Sequence, residues 1–566
     1  VTRPGWLAAA AVVCAFALTG RSATAADPLE HQQHREARER FEERQRELER
    51  IAPPDTDLEI REPFRPAPAD AACLEVARVT VMGSTRLSAA ELDGITAPFA
   101  GRCLTLADLD RLVDAVNAAY IARGLVTSRA YIPAQDLSDG TLEIVAIEGR
   151  VEGFELHGPD PRGELGLAFS GLEGEILDLR DIEQGLEQMN RLPSWDARMR
   201  IEPGARAGLS TVAIDAPVGD RLRAHVAANN NGDVATGRAI GRMAVEVDNP
   251  LGLLDAWSAD VERSFPSDDG RLSRAGSLRL SIPYGYWTFL AGFSHSDYRL
   301  PVTGLTETFR LSGRTNRLTI GVNRVLHRGQ VSKTSLEAGY GLKRTTSFLE
   351  DVRLESGSRG LAVASLRLSH TARIGGGAWY ATLGYERGLD GFGTTVDDTD
   401  LPADAPHAQY DKFSFDLDGF QPVGLWGADL LWRPSLHAEY SNETLYGSER
   451  LTIGGLYSVR GFRDGSLVGD RGLFLRNEIV WRLPESGVAG FDRLFGPIEP
   501  YAGLDAGWVR AAAGPSDSDG AIAGAVVGLR GLGGAVFWDA WVAHALVRGP
   551  LRDEGAIVGV TVGINL

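Results

Sequence analysis

The chain has 566 residues, 24% charged and 43% hydrophobic, with a formal net charge of −18. That balance argues against nucleic acid as the main partner, because phosphate binding needs a cationic face. Its 67 glycines are about 12% of the chain against a usual ~7%, and length alone allows several domains.

The first 26 residues read as a secretory signal. Arg3 gives the positive start, Trp6 to Thr19 is an apolar run too short for a comfortable membrane helix, and Ala23-Thr24-Ala25 is a small-residue cleavage site. A retained anchor helix is the competing reading. With Cys14 removed, the exported chain keeps Cys73 and Cys103, in a compartment where such a pair is expected to be joined. No later segment reaches 18 apolar residues, so no transmembrane helix is expected. This leaves a soluble secreted protein or an outer-membrane β-barrel, whose strands turn only every second side chain to lipid.

Residues 27–50 are helix formers with opposite charges three and four apart, and Leu29, Phe41 and Leu48 are too few for a core face. The Pro-rich stretch 51–71 reads as a linker. From there the order strand, helix, helix, strand, strand occurs twice, over 72–149 and 150–218. Ser88 with Glu91 and Thr105 with Asp108 are capping boxes, and the second opens a helix with Leu106, Leu109, Leu112, Val113, Val116 and Tyr120 on one face. Gly83 recurs as Gly158 and Asn117 as Asn190, which marks a tandem repeat. Such a module has an edge strand, suited to capturing an extended polypeptide by β-augmentation. The strand near Leu209 to Ala216 and the helix from Asp178 are the candidate capture elements. A simple spacer role would need no such edge.

Over 219–566 the pattern becomes alternating segments, starting near 221, 240, 254, 273, 286, 314, 331, 359, 376, 408, 425, 471, 498, 519, 533 and 555. Sixteen strands of about twelve residues, tilted near 40°, rise about 30 Å, enough for an outer-membrane hydrocarbon band. Connections alternate between short ("NPLG", "PYG", "HRGQ", "RGLGG") and long (298–313, 389–407 and 443–470). A large soluble β-sandwich or propeller would also alternate. The predicted fold class is a transmembrane β-barrel of 16 antiparallel strands preceded by two periplasmic α+β modules and an N-terminal helix.

The segment 443–470 joins the eleventh and twelfth strands and is therefore the sixth outside loop; in it lies "VRGF", Val459, Arg460, Gly461 and Phe462. With "GRCL" at Gly101, "RGLVTSRAYIPAQDLSDGTLEI" from Arg123, "NRLPS" (Asn190, Arg191, Leu192, Pro193) and "DNPLG" at Asp248, the chain resembles the outer-membrane transporters of two-partner secretion. These form the hemolysin secretion/activation family within the superfamily of barrels carrying polypeptide-transport-associated (POTRA) modules. The resemblance implies that the sixth loop folds back into the barrel and that Arg460 meets an acid on the inner wall. "GLDAG" holds the matching position, with Leu504 where an aromatic usually stands, which makes Asp505 the acid and Gly507 its companion. By strand parity Asp505 faces inward, and Glu478 is the rival acid. Leu566 stands where the family usually ends in phenylalanine.

The resemblance also implies a large secreted partner protein with an N-terminal secretion domain, like a hemolysin or adhesin. It implies outer-membrane lipid around the barrel, barrel assembly machinery for insertion, and an N-terminal helix that plugs the pore. An insertase of the same superfamily and a passive porin are the alternatives; the long periplasmic portion opposes the porin. The ten histidines have no metal-ligand spacing and no Gly-x-Ser-x-Gly elbow occurs. Neither catalytic residues, metal nor cofactor are expected.

Overall fold

The computed structural model describes Arg38 and residues 73–566 apart from 159–163, 266–269, 305–306, 426 and 485. The expected signal segment, linker and N-terminal helix lie outside the described residues, Arg38 excepted. Arg38 is helical and its guanidinium pairs with Glu262.

The first module contains strands β1 (Leu74–Val76), β2 (Arg78–Met82), β3 (Arg102–Leu104), β4 (Arg129–Tyr131) and β5 (Thr141–Ile147), with helices α1 (Ala89–Thr96) and α2 (Leu106–Ala122). Both helices begin with complete capping boxes, at Ser88/Glu91 and Thr105/Asp108. Each box satisfies backbone N–H groups that the helix itself cannot. Leu109, Leu112, Val116 and Tyr120 of α2 are buried against the sheet β2-β5-β4, whereas Leu106 in the first turn stays exposed. β1 and β3 form a separate ribbon in which Glu75 faces Cys103, and Cys73 is disulfide-bonded to Cys103 with Cα atoms 5.3 Å apart.

The second module repeats the plan with β6 (Arg150–His157), α3 (Glu164–Ala168), α4 (Leu179–Asn190), β7 (Arg198–Pro203) and β8 (Leu209–Asp215). The sequence repeat marks equivalent joints. Asn117 accepts from the Ala130 amide at 2.7 Å, and Asn190 accepts from the Ala197 amide at 2.7 Å, so each ties its helix to the following strand. A side chain at Gly83 would strike the carbonyl of Ala146, and one at Gly158 the carbonyl of Ala216.

The sheet order is β6-β8-β7. The strand around Leu209 to Ala216 is therefore central and not the open edge that capture needs. β8 pairs in parallel with β6 and antiparallel with β7, which consumes both of its sides.

The barrel closes through sixteen strands. They are β9 (Leu222–Asn229), β10 (Ile240–Asp248), β11 (Ala256–Ser264), β12 (Leu272–Tyr284), β13 (Trp287–Thr303), β14 (Thr308–Arg328), β15 (Ser332–Leu349) and β16 (Val352–Ile374), then β17 (Gly377–Leu389), β18 (Asp411–Leu425), β19 (Ala428–Ser441), β22 (Arg471–Trp481), β23 (Ile498–Arg510), β24 (Gly520–Gly531), β25 (Val536–Val547) and β26 (Ile557–Asn565). Two short strands, β20 (Leu451–Ile453) and β21 (Leu467–Gly469), pair with each other inside a loop. Every wall neighbour is antiparallel, and Thr561–Asn565 pair with His225–Asn229 to close the ring.

Two connections differ from the sequence reading. The segment 298–313 is no long loop: β13 and β14 stay paired as far as Thr303 and Thr308, because the alternation continues beyond the apolar band. On the module side, residues 482–497 form an extended turn carrying helix α5 (Ala489–Phe495). Outside, Phe289, Phe293, Leu318, Ile320, Leu504, Trp508 and Val527 are all exposed, an apolar surface that suits lipid.

α4 docks the second module on the barrel's near rim. Gln184 and Gln188 donate to the carbonyl of Gly285 at 3.3 and 3.0 Å, and Tyr286 donates to Asp181. Glu187 meets both Arg328 and Lys333. At the end of α4, Arg191 donates to the Leu254 carbonyl and to Ser281, Leu192 is fully buried, and the Ser194 amide donates to Asp248 at 2.9 Å. "NRLPS" and "DNPLG" are thus two halves of one joint.

Burial raises the Glu187 carboxyl, but the Lys333 ammonium and the Arg328 guanidinium outweigh it and hold its pKa at about 2, down from 4.5. A depressed carboxyl contributes stability above its unfolded value and loses it as pH falls toward the folded one. The contribution of Glu187 to docking is therefore complete above about pH 4.5 and fades toward pH 2. Electron-spin distance measurements between labels at Arg198→Cys and Val331→Cys should give one narrow distribution at pH 7 that broadens on acidification. Glu187→Arg should broaden it at every pH. An unchanged width in that variant would mean that the ion pairs do not hold the module.

Candidate functional site

The connection from β19 to β22, residues 442–470, turns back into the barrel from the end opposite the modules. Its root is fixed by two acids. Asp470, fully buried, accepts from the amides of Leu445 at 2.9 Å and Ala512 at 2.8 Å and from Nε of Arg450 at 2.8 Å. Glu449 pairs with Lys343 at 3.1 Å and accepts from the Tyr410 hydroxyl at 3.3 Å. Between them the β20–β21 ribbon carries the tip inward. At the tip the Ser458 hydroxyl donates to the Gly454 carbonyl and accepts from its amide, both at 3.0 Å.

This fold-back puts the four residues Val459–Phe462 against the inner wall. Val459 and Phe462 are buried with Leu451, Ile453 and Leu467 of the loop and with Phe474, Val509 and Ile522 of the wall. The two apolar side chains bracket a charge that is itself only 3% exposed, that of Arg460. Its Nε and Nη2 donate to the two oxygens of Asp505 at 2.6 and 2.8 Å, and its own amide donates to Oδ2 at 3.0 Å. A planar guanidinium gripping a carboxylate with two prongs fixes orientation as well as distance. The remaining nitrogen, Nη1, reaches Glu478 at 2.9 Å. The two acids that sequence parity offers as rivals both bind, Asp505 by two prongs and Glu478 by one.

The network continues along the wall. Glu478 also accepts from Arg530 at 2.8 Å, and Arg530 donates to Glu499 at 2.9 Å while lying over the ring of Tyr501. Tyr501 donates to Asp539 at 2.9 Å. Arg460 lies between two acids, Glu478 between two guanidiniums and Arg530 between two acids, so each of these charges has a neighbour of opposite sign. That is the condition under which such groups tolerate removal from water.

Backbone must come close for this to form. Gly461 has φ +107°, in the left-handed region that glycine takes without strain, and a Cβ there would sit 2.7 Å from the His544 carbonyl carbon. A Cβ at Gly524 would lie 1.8 Å from the Arg460 carbonyl oxygen. Gly507 leaves room for Val459 and Ile453, and Gly503 for the Arg460 guanidinium.

The sequence reading missed Gly524, Arg530 and Glu499, although parity places all three on the inner face. It also missed Glu554, on the last loop, 548–556. Its carboxylate accepts from three successive tip amides, those of Arg463 at 3.0 Å, Asp464 at 3.1 Å and Gly465 at 2.9 Å. Only a distant segment meeting the tip reveals that role. Arg463 also donates to the Val558 carbonyl at the start of β26. Among the described residues no group of three or more His, Cys, Asp or Glu side chains is arranged to hold a metal ion.

Removing one partner of a buried ion pair costs about 3–5 kcal/mol, because the other charge stays desolvated and alone. Arg460→Ala should therefore release the tip, making Arg463 accessible to trypsin from the far side in proteoliposomes. Glu554→Gln keeps the shape but weakens three charge-assisted bonds, so it should give an intermediate cleavage rate. Cleavage as slow as in the unaltered protein in both variants would show that the apolar contacts alone hold the loop.

A family described as haemolysin secretion/activation protein ShlB/FhaC/HecB matches residues 208–531, a POTRA domain of the ShlB type matches 74–149, and a further POTRA domain matches 150–203. The outer membrane transporter CdiB of Escherichia coli is 35% identical over 499 residues, 87% of this chain and 82% of that protein. The hemolysin transporter protein ShlB of Serratia marcescens is 30% identical over 421 residues, 74% of each. The solved structure of CdiB from Escherichia coli superposes with a TM-score of 0.86 at 32% identity, covering 96% of this chain and 100% of that one. CdiB from Acinetobacter baumannii, at 21% identity and a TM-score of 0.78 over the same shares, has the same fold. This chain belongs to the ShlB/FhaC/HecB family of secretion/activation proteins, β-barrels of the outer membrane with their POTRA modules in the periplasm.

Proposed function

We propose that the protein secretes a large partner polypeptide, delivered unfolded to the periplasm, through its barrel to the cell surface. The observation that carries this reading is a lumen occupied by the protein's own sixth loop, held by the Arg460–Asp505 pair, above two modules docked on the periplasmic rim. A passive porin needs neither, and membership of the secretion/activation family favours export over insertion of other barrels. The pairing of Arg38 with Glu262, whose neighbour Val261 is exposed on the outer surface, supports an N-terminal helix inside the pore. No chemistry on the partner is invoked. Folding of the partner outside supplies direction.

Arg460, Asp505 and Glu478 act in this reading as a lock on the resting pore. Arg460→Asp and Asp505→Arg should each reduce surface appearance of the partner at least tenfold while the barrel still inserts. The double exchange should recover part of it. Normal secretion by both single variants would leave the loop without a role in transport.

Capture belongs at an open edge, since α4 is engaged by the barrel and β8 is flanked on both sides. β6 starts against residues 174–176, with the Val151 amide donating to Glu175. β7, Arg198–Pro203, ends the sheet and offers unpaired main chain, and an added strand would draw affinity from backbone pairing. Photo-crosslinkers at Arg198, Arg200 and Glu202 should capture the partner's N-terminal region during secretion. Crosslinks confined to lumenal positions would overturn capture at this edge while leaving the pore reading intact.

A further inference from the structure

The turn between β22 and β23 is much longer than the other connections on the periplasmic side, and its helix is turned outward. Arg530 points into the lumen, where it meets Glu478, so the next residue, Gly531, faces the outside of the wall. A Cβ at Gly531 would lie 2.6 Å from the Phe495 carbonyl oxygen and 2.6 Å from Nε1 of Trp538. At Gly534 it would lie 2.4 Å from the Leu494 carbonyl oxygen. The Arg493 carbonyl accepts from the Ala535 amide at 3.2 Å. α5 is thus packed on the outer face of β24 and of the turn before β25, beside Trp538.

In that position it exposes apolar side chains at helical spacing. Val488, Phe491 and Leu494 are 62%, 37% and 42% exposed, and the ring of Phe491 meets that of Phe495 at a tilt, centroids 5.0 Å apart. The same surface continues onto Trp481, Leu529 and Leu532, all exposed. The acid of the helix is used internally: Asp492 accepts from the amide and hydroxyl of Ser486 at 3.0 and 2.7 Å. Arg482 and Arg493 are exposed at the two ends of the turn.

We propose that α5 is an interfacial anchor whose occupant is the phospholipid leaflet on the periplasmic side of the outer membrane. Val488, Phe491 and Leu494 enter the acyl boundary, and Arg482 and Arg493 face the phosphates. A short helix lying in the interface, apolar on one side and cationic at its rim, is a stable arrangement, and aromatic side chains favour that depth. Continuity with the lipid-facing wall, and not with the modules, selects lipid over a protein partner. The anchor holds the rim of β22–β25, the part of the wall that carries Glu478, Glu499 and Arg530.

The test uses the full chain in vesicles of phosphatidylethanolamine and phosphatidylglycerol, with a polarity-sensitive fluorophore at Phe491→Cys. The native pair Cys73–Cys103 is bonded and does not compete for the label. Spin-labelled phospholipid should quench this site about as strongly as a label at Leu529→Cys on the wall, and several-fold more than one at Arg198→Cys on the second module. Iodide should show the reverse order. If Phe491→Cys does not insert, Val488→Cys and Leu494→Cys carry the same expectation. Strong iodide quenching with weak lipid quenching would put the helix in the periplasm and overturn the proposal. Shielding from both quenchers would mean that protein covers it, and would overturn it equally.

Discussion

The structure depends on one charge that cannot be left alone. Arg460 sits inside the barrel with its guanidinium almost wholly removed from water, and a guanidinium does not shed its proton to escape the cost. It is stable there only because Asp505 takes two of its donors and Glu478 a third. Everything around it follows from that demand. Glycines clear the approach, Val459 and Phe462 seal the sides, and Arg530 balances the second acid. The loop cannot settle at a different depth without breaking the two-pronged geometry.

A pore meant to pass a polypeptide has to be closed at rest and yet able to open. A plug made only of apolar packing would be non-directional and would tolerate many positions. A buried ion pair is different: separating the partners leaves each charge desolvated and uncompensated, which penalises other positions of the loop. The loop is also held at its root by its own Asp470 and Glu449, which reach the wall and neighbouring loops, and at its tip by Glu554 from the last loop. The tip contact ties the sixth loop to the last loop and, through Arg463, to β26 beside the strand that closes the ring. The loop tip and the strand pair that closes the ring are therefore linked through hydrogen bonds.

The periplasmic side is organised by the same economy of polar contacts. α4 presents glutamines to a turn carbonyl and a glutamate to two cations, so directional bonds orient the second module on the rim, beside an apolar contact in which Leu254 of the β10–β11 turn is buried in the module's own core. Such contacts fix angle, and β7 stands at the end of the module's sheet.

Much was legible in the residues themselves. Alternation in steps of two is a local property of a strand, and it placed all sixteen strands within several residues, with Asp505 inward and Leu504 outward. Helix starts were legible because Ser88/Glu91 and Thr105/Asp108 cap through short-range bonds. The tandem offset of Asn117 and Asn190 was legible because each performs the same local joint. What alternation cannot carry is which inward residue meets which. Asp505, Glu478, Glu499 and Arg530 all share one face, and only closure of the barrel decides that Arg460 reaches two of them. The order β6-β8-β7 was likewise hidden, because parallel pairing brings together strands that are distant in the chain and says nothing locally about which one is central. Glu554 and α5 were invisible for the same reason: their partners come from other loops and from the outside of the wall, and only the tertiary structure puts them side by side.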